Sequence, residues 1–119
     1  MSATIRRLPG TAPGRSRAVS CDGLVWTVAT ASEKSASMHA QTVSALQALD
    51  RNLAAAGTDK QRILSATVYI ADMSRKAEMN EAWLAWVDPA KAPQRACIGV
   101  ALEGADLVEI VVCAVAGDR

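Results

Sequence analysis

The feature that most constrains the fold is a series of apolar, β-branched segments interrupted by only two helical stretches. The predicted strands cover about residues 4–8, 16–21, 24–30, 63–70, 94–101 and 107–115, and the predicted helices about 38–56 and 74–87. The resulting order, β-β-β-α-β-α-β-β, predicts an α+β fold in which both helices cover one face of a mixed sheet. Because the strands are apolar on both sides, we expect the other face to be buried by self-association.

Local signals mark where these elements begin and end. Asp22-Gly23 is a strong hairpin turn signal between the second and third strands. Ser35 or Ser37 can cap the first helix, and Gly57 can end it. Ser74 can cap the second helix. The first helix carries an apolar stripe with spacings of three and four residues, predicted to face the sheet: Val43, Leu46, Leu49 and Leu53.

Composition narrows the class of protein. A chain of 119 residues fits one domain, here residues 1–119, and its net charge of +1 gives no electrostatic footprint for nucleic acid or an anionic membrane. There is no run of membrane-spanning length and no signal-peptide core, so we expect a soluble, cytoplasmic protein. Three cysteines without a C-x-x-C motif and a lone His39 predict neither a disulfide framework nor a metal site.

Two charged residues, Arg95 and Glu109, interrupt the last two apolar strands. Burying a lone charge inside a protein costs on the order of several kcal/mol, so each of these charges needs a partner. Strand alternation places Arg95, Cys97 and Gly99 on one face of their strand, and Glu109 and Val111 on one face of the next. If these strands pair as a hairpin, Arg95 and Glu109 can lie on the same side of the sheet. They would then form a structural ion pair or bind a ligand.

In the ligand interpretation, Arg95 offers a planar fork of donors to a carboxylate, and Glu109 orients a water molecule nearby. Gly99 would leave room for the ligand, or it only relieves packing. Cys97 is more simply a thiol that lines the pocket than a nucleophile, because no base lies near it in the sequence.

Several motifs carry a family resemblance. Arg95-Ala96-Cys97, Val100-Ala101-Leu102 and Leu107-Val108-Glu109-Ile110 resemble the C-terminal signature of the RidA (YjgF/YER057c/UK114) family. The likeness covers about residues 16–116, and the segment Trp83-Leu84-Ala85-Trp86-Val87 is most similar to short YoaB-like members. Upstream segments that also resemble the family are Gln41-Thr42 through Leu46, Leu53, Ala55-Ala56-Gly57, Ile63 through Met73, and Met79-Asn80-Glu81-Ala82-Trp83.

The resemblance implies a chorismate mutase-like fold with a six-stranded sheet, assembled as a homotrimeric barrel with sites between subunits. It also implies cofactor-free hydrolysis of 2-imino or enamino acids, such as 2-aminoacrylate, to 2-keto acids and ammonia. Carried over by position, Arg95 would clamp the substrate carboxylate, and Glu109 with the Cys97 backbone would hold the attacking water. Three further positions would line the pocket, the last two from the neighbouring subunit: Asn80, Ala29 and Thr30.

The sequence departs from the family pattern near this site. Ser16 stands where active deaminases usually carry a tyrosine, Ala29-Thr30 replaces a Ser-Gly pair, and Gly99 replaces a glutamate. Three alternatives therefore stay open: a non-catalytic binder or sensor of carboxylate metabolites, a pathway-specific enzyme for a larger imine, and a chaperone-like holdase.

Overall fold

The computed structural model describes residues 4–117. Its strands and helices follow the predicted order: β1 (Arg6–Pro9), β2 (Ser16–Cys21), β3 (Leu24–Thr30), α1 (Met38–Ala55), β4 (Ile63–Ile70), α2 (Lys76–Trp86), β5 (Gln94–Gly99) and β6 (Val108–Val115). Short 3₁₀ turns occupy Lys60–Arg62, Met73–Arg75 and Pro89–Lys91. The α+β class and the six-stranded mixed sheet are confirmed.

The sheet order is β1-β2-β3-β6-β4-β5, with β4 and β5 parallel and all other neighbours antiparallel. The last two strands, β5 and β6, therefore do not pair as a hairpin, which was the condition for placing Arg95 and Glu109 on the same side of the sheet. The reason is the α2 crossover: a β-α-β unit places β5 parallel beside β4, at the edge of the sheet. The chain then returns past β4, and β6 enters the sheet between β3 and β4.

The hydrophobic core lies between the sheet and the two helices. Strand residues that point toward the helices are almost fully buried: Val25, Ala66, Val68, Ile70, Val108, Ile110, Val112 and Ala114. Leu46, Leu49 and Leu53 of α1 pack against them as predicted, but Val43 is 38% exposed. The buried stripe of α1 runs through Met38, Thr42 and Ala45, and Val43 is rotated about 100° from Thr42 around the helix axis.

The opposite face of the sheet has no helix over it and is apolar. The large side chains exposed there include Trp26, Val28, Val111 and Val115, of which Trp26 is 43% exposed. They alternate along β3 and β6 with the buried residues of the core. Residues 4–117 thus show two helices on one face and an uncovered apolar face on the other.

No helix in this range is both long and apolar enough to cross a membrane.

Capping contacts confirm one predicted helix start and correct the other. The Ser37 hydroxyl accepts a hydrogen bond from the Ala40 N–H (3.1 Å) at the start of α1. The prediction that Ser74 caps the second helix is wrong. Asp72 instead accepts the Ser74 N–H (3.0 Å) and begins a 3₁₀ turn, so α2 starts only at Lys76. An aspartate two residues before a free N–H competes effectively for this capping role.

Candidate functional site

Arg95 lies on the helix side of the edge strand β5. It pairs in register with Ala66 of β4, whose side chain is buried in the core. The Arg95 guanidinium carbon lies 5.4 Å from the ring centroid of Trp83, and its Nη1 lies 3.9 Å from the Met79 sulfur. Within residues 4–117, no acidic side chain forms an ion pair with Arg95. The aromatic ring therefore supports the guanidinium and leaves its donors available to a carboxylate.

Glu109 lies on the open side of the sheet, in β6. Its register partners are Thr30 of β3 and Tyr69 of β4. It lines a cleft of about 260 Å³, which we call the open-face pocket. The other residues that line this pocket are Gly10, Thr11, Arg15, Ser16, Arg17, Val28, Thr30, Glu103 and Asp106.

Arg95 and Glu109 thus lie on opposite faces of the sheet, and the expected same-side arrangement is wrong. Two observations fix this. β4 separates β5 from β6, and Arg95 aligns with the buried, helix-facing Ala66, whereas Glu109 sits between the buried Val108 and Ile110 and points the other way. An ion pair between the two residues of one protomer is excluded by the intervening strand.

The structure brings together three of the positions singled out in the sequence. Ser16, Thr30 and Glu109 all line the open-face pocket. Ala29, the neighbour of Thr30, points to the helix side and is 4% exposed. Because side chains alternate along a strand, only one residue of the Ala29-Thr30 pair can point into this pocket.

The remaining predicted site residues lie with Arg95 on the helix side. Cys97 is half-buried and packs against the core. Asn80 of α2 follows Met79, and its buried Oδ1 has no hydrogen-bond partner among the described residues. A Cβ at Gly99 would lie 3.3 Å from the Met73 Cε, so the space above this glycine is filled by a side chain. Within one protomer, Gly99 therefore relieves packing against Met73 and does not leave room for a ligand.

Gln41 has an organising role that was not predicted from the sequence. Its side chain is fully buried in α1 and donates to the carbonyls of Ser35 (2.9 Å) and Ala105 (2.7 Å), while it accepts the Leu107 N–H (2.9 Å). These bonds hold the turn between β5 and β6 in place. They therefore set the point at which β6 begins, and with it the position of Glu109. A glutamine beside the apolar stripe of α1 was the available signal.

Charged groups at the rim of the open-face pocket were also missed. Asp106 forms an ion pair with Lys34, whose ammonium also donates to the Ala31 carbonyl (2.6 Å). Arg15 and Arg17 enter the pocket from the segment before and at the start of β2. Among residues 4–117, no group of three His, Cys, Asp or Glu side chains is placed to hold a metal ion.

Comparison with known proteins identifies the family. The family model described as Endoribonuclease L-PSP matches residues 12–116. The chain belongs to the RidA/YjgF family. A RutC family protein from Haemophilus ducreyi is 46% identical to this RidA-family chain over 83 residues, which cover 69% of this chain and 71% of the relative. YoaB, a RutC family protein from Escherichia coli, is 40% identical over 62 residues, 52% of this chain and 54% of YoaB.

Solved structures of the RidA/YjgF family have the same fold. A YjgF-family protein from Neisseria meningitidis superimposes with a TM-score of 0.92 at 37% identity, covering 98% of both chains. A YjgF/YER057c/UK114 member from Mycobacterium tuberculosis gives a TM-score of 0.84 at 27% identity, covering 94% of this chain and 99% of its own. The family and the fold predicted from the sequence are confirmed.

Proposed function

We propose that this RidA-family protein hydrolyses reactive 2-imino and enamino acids to 2-keto acids and ammonia, in the cytoplasm and without a cofactor. Water adds to the imine carbon, the C–N bond breaks, and the nitrogen leaves as ammonia. The observation that carries the proposal is the placement of Arg95 and Glu109. Each is a charge without an ion-pair partner in the described part of the chain, and each lies on a different face of the sheet.

One small ligand can meet both groups only if they come from different copies of the chain. We therefore place the site between the subunits of a homotrimer. The uncovered apolar face, with Trp26, Val28, Val111 and Val115, supports such an assembly because exposed apolar surface of this kind is stabilised by burial. Three copies of the sheet would then form an inner barrel.

Arg95 has the role of carboxylate clamp. Its planar fork can form two parallel hydrogen bonds to a carboxylate, and the Trp83 ring holds the guanidinium plane in place. Binding in this way offsets the negative charge of the substrate and orients the imine carbon toward the water molecule.

Glu109 has the role of general base, accepting a proton from the attacking water. Thr30 lies opposite it in the open-face pocket, and Ala29 precedes Thr30 in the chain. The backbone of Cys97 helps to hold the water: β5 is an edge strand, so one side of its backbone is unpaired within the protomer. The Asn80 side-chain oxygen, which accepts no hydrogen bond from residues 4–117, is a further acceptor on the helix side of the sheet.

The direct test is keto-acid formation from an imino acid that an amino-acid oxidase generates in situ, with semicarbazide competing for the imine. Loss of one preorganised contact of this type reduces turnover about 10²- to 10³-fold, and we expect Arg95→Ala to do the same. Arg51→Ala removes an exposed arginine of α1 and should match the wild type. An Arg95→Ala variant that stays oligomeric and equally active would show that the assigned role is wrong.

A second candidate, a non-catalytic binder of carboxylate metabolites, is favoured by Ser16. This residue lines the open-face pocket where active deaminases usually carry a tyrosine. A binder would gain thermal stability from keto acids and show no turnover of any imine. Because the family model is named for an endoribonuclease, an RNA substrate belongs among the controls.

A further inference from the structure

The open-face pocket is lined by two arginines for which the proposed reaction has no use. Arg15 is exposed and Arg17 is half-buried. Within residues 4–117, neither forms an ion pair with an acidic side chain. They share this cleft with Glu103 and Glu109 without forming an ion pair to either, so both guanidinium groups keep N–H donors that the anionic group of a ligand can accept.

Arg17 is held in position from both its backbone and its side chain. Pairing of β2 with β3 ends at Ala18 and Thr27, and the Thr27 hydroxyl donates to the Arg17 carbonyl (2.8 Å). Beyond this point Asn52, a buried residue of α1, donates from Nδ2 to the Val28 carbonyl (3.0 Å). Its Oδ1 accepts a hydrogen bond from Arg17 Nη1 (3.4 Å).

This contact uses one of the five N–H donors of the guanidinium and leaves the others for a ligand. Because Asn52 is anchored to β3, it orients Arg17 without neutralising its charge. Asn52 is thus a positioning residue, and the arginine is prepared for an anion before any ligand arrives.

The acidic groups of the pocket divide into two kinds. Asp106 is compensated by Lys34, whereas Glu103 and Glu109 have no ion-pair partner among the described residues. The pocket therefore presents free cations and free carboxylates together. This combination suits a ligand that carries a carboxylate and a protonated nitrogen, such as the iminium form of an imino acid.

We propose that Arg17, assisted by Arg15, binds a second carboxylate, so that the preferred substrates are imines of dicarboxylic amino acids. The inference rests on the proposed function, in which the first carboxylate is clamped by Arg95 of the neighbouring copy. Glu109 then faces the iminium carbon between the two anionic groups of the substrate. Arg15 and Arg17 determine specificity and take no part in the bond-breaking step.

The kinetic test compares imines generated from glutamate and from leucine by their oxidases. In the wild type, kcat/KM should be higher for the dicarboxylic imine. Arg17→Gln and Arg15→Gln should lower the ratio of the two kcat/KM values, by about tenfold to a hundredfold for Arg17, as expected for hydrogen bonds to charged groups. The change should appear mainly in KM for the dicarboxylic imine. Arg17→Lys, which keeps the charge but loses the fork, should lie in between.

The matched control is Arg7→Gln, which removes an exposed arginine of β1 outside the pocket. It should leave the ratio unchanged, which separates local binding from the general effect of net charge. A wild type without preference for the dicarboxylic imine, or an unchanged ratio in the Arg17 and Arg15 variants, would overturn the inference. If Arg17→Gln does not fold, Arg15→Gln and Arg17→Lys decide the question.

A binding measurement separates this inference from the proposed function. Calorimetry with 2-oxoglutarate and 2-oxobutyrate measures how much the second carboxylate adds to binding affinity, and it requires no turnover. Binding of 2-oxoglutarate at least about tenfold tighter than binding of 2-oxobutyrate, lost in Arg17→Gln and weakened in Arg15→Gln and Arg17→Lys, would support the subsite even if no imine is hydrolysed. Equal affinity for the two keto acids would overturn it, even in an active deaminase.

Discussion

Arg95 and Glu109 point away from each other across one sheet, Arg95 toward the helices and Glu109 toward the uncovered face. The strand β4 lies between them, so neither charge can compensate the other within a protomer. Both are half-buried, where an unpaired charge is costly. Their placement has a physical explanation if each completes a site with a second copy of the chain.

Trp83→Phe tests whether the indole ring holds Arg95 for substrate. Cation–π attraction is strongest for tryptophan and is worth about 0.5–1 kcal/mol at exposed sites and about 2 kcal/mol when desolvated; because phenylalanine keeps part of it, KM should rise roughly two- to fivefold with little change in kcat. Steady-state kinetics on one imine measures both constants. Trp86→Phe is the control, because its ring contacts Lys60 and Asp50 rather than Arg95. Equal rises of KM in both variants would contradict the assignment.

Gln41→Leu tests the buried hydrogen bonds at the β5–β6 turn. The substitution keeps the volume but leaves the carbonyls of Ser35 and Ala105 and the N–H of Leu107 without their partner. We expect the free energy of unfolding to fall by about 2–4 kcal/mol, since each unsatisfied buried group costs about 1–3 kcal/mol. Urea denaturation measures the loss. Gln47→Leu on the exposed side of α1 should change stability by less than about 0.5 kcal/mol; a similar loss in both variants would remove the special role of Gln41.

The order of elements was predictable because it depends on local patterns. β-Branched runs mark the strands, and the spacing of Leu46, Leu49 and Leu53 marks the buried side of α1. The neighbours of β5 and β6 were not predictable in this way. Strand pairing is a tertiary property, and the sequence of each strand is equally compatible with a hairpin or with a crossover through α2.

The candidate site was predictable in its residues and not in its arrangement. Arg95 and Glu109 stood out because a charge in an apolar strand is rare, and alternation correctly assigned Arg95 and Cys97 to a common face. Whether residues of two different strands lie on the same face of the sheet depends on the register and the order of the strands. Neither property is encoded locally in a single sequence. Arg17 was missed because only the splaying of β2 from β3 brings it to the pocket.

Asp72 provides a test by pH. The hydrogen bonds from the Ser74 hydroxyl (2.6 Å) and backbone N–H (3.0 Å), together with the nearby Arg75 charge, hold the pKa of Asp72 below its ordinary value of 3.8. Because the folded-state pKa is the lower one, the stabilisation is fully present above the unfolded pKa and is lost as pH falls through the folded pKa. The difference in unfolding free energy between wild type and Asp72→Asn should be constant at pH values well above 3.8. It should shrink toward zero as the pH falls below that value.

Carboxyl NMR titration measures the same effect directly. Ser74→Ala removes the hydroxyl donor and should raise the pKa of Asp72 toward its ordinary value. An Asp72 carboxyl that titrates at or above 3.8 in the wild type would contradict the capping geometry.

The central claim, a hydrolytic site shared between subunits, is tested most directly by mixing two inactive variants. Arg95→Ala and Glu109→Gln are unfolded together, refolded as a mixture, and assayed for imine hydrolysis beside each variant refolded alone. Random assembly leaves about one quarter of the sites with an intact arginine from one copy and an intact glutamate from the next, so about one quarter of the wild-type activity should return. A mixture as inactive as its separate components would contradict a site that joins Arg95 of one subunit to Glu109 of another.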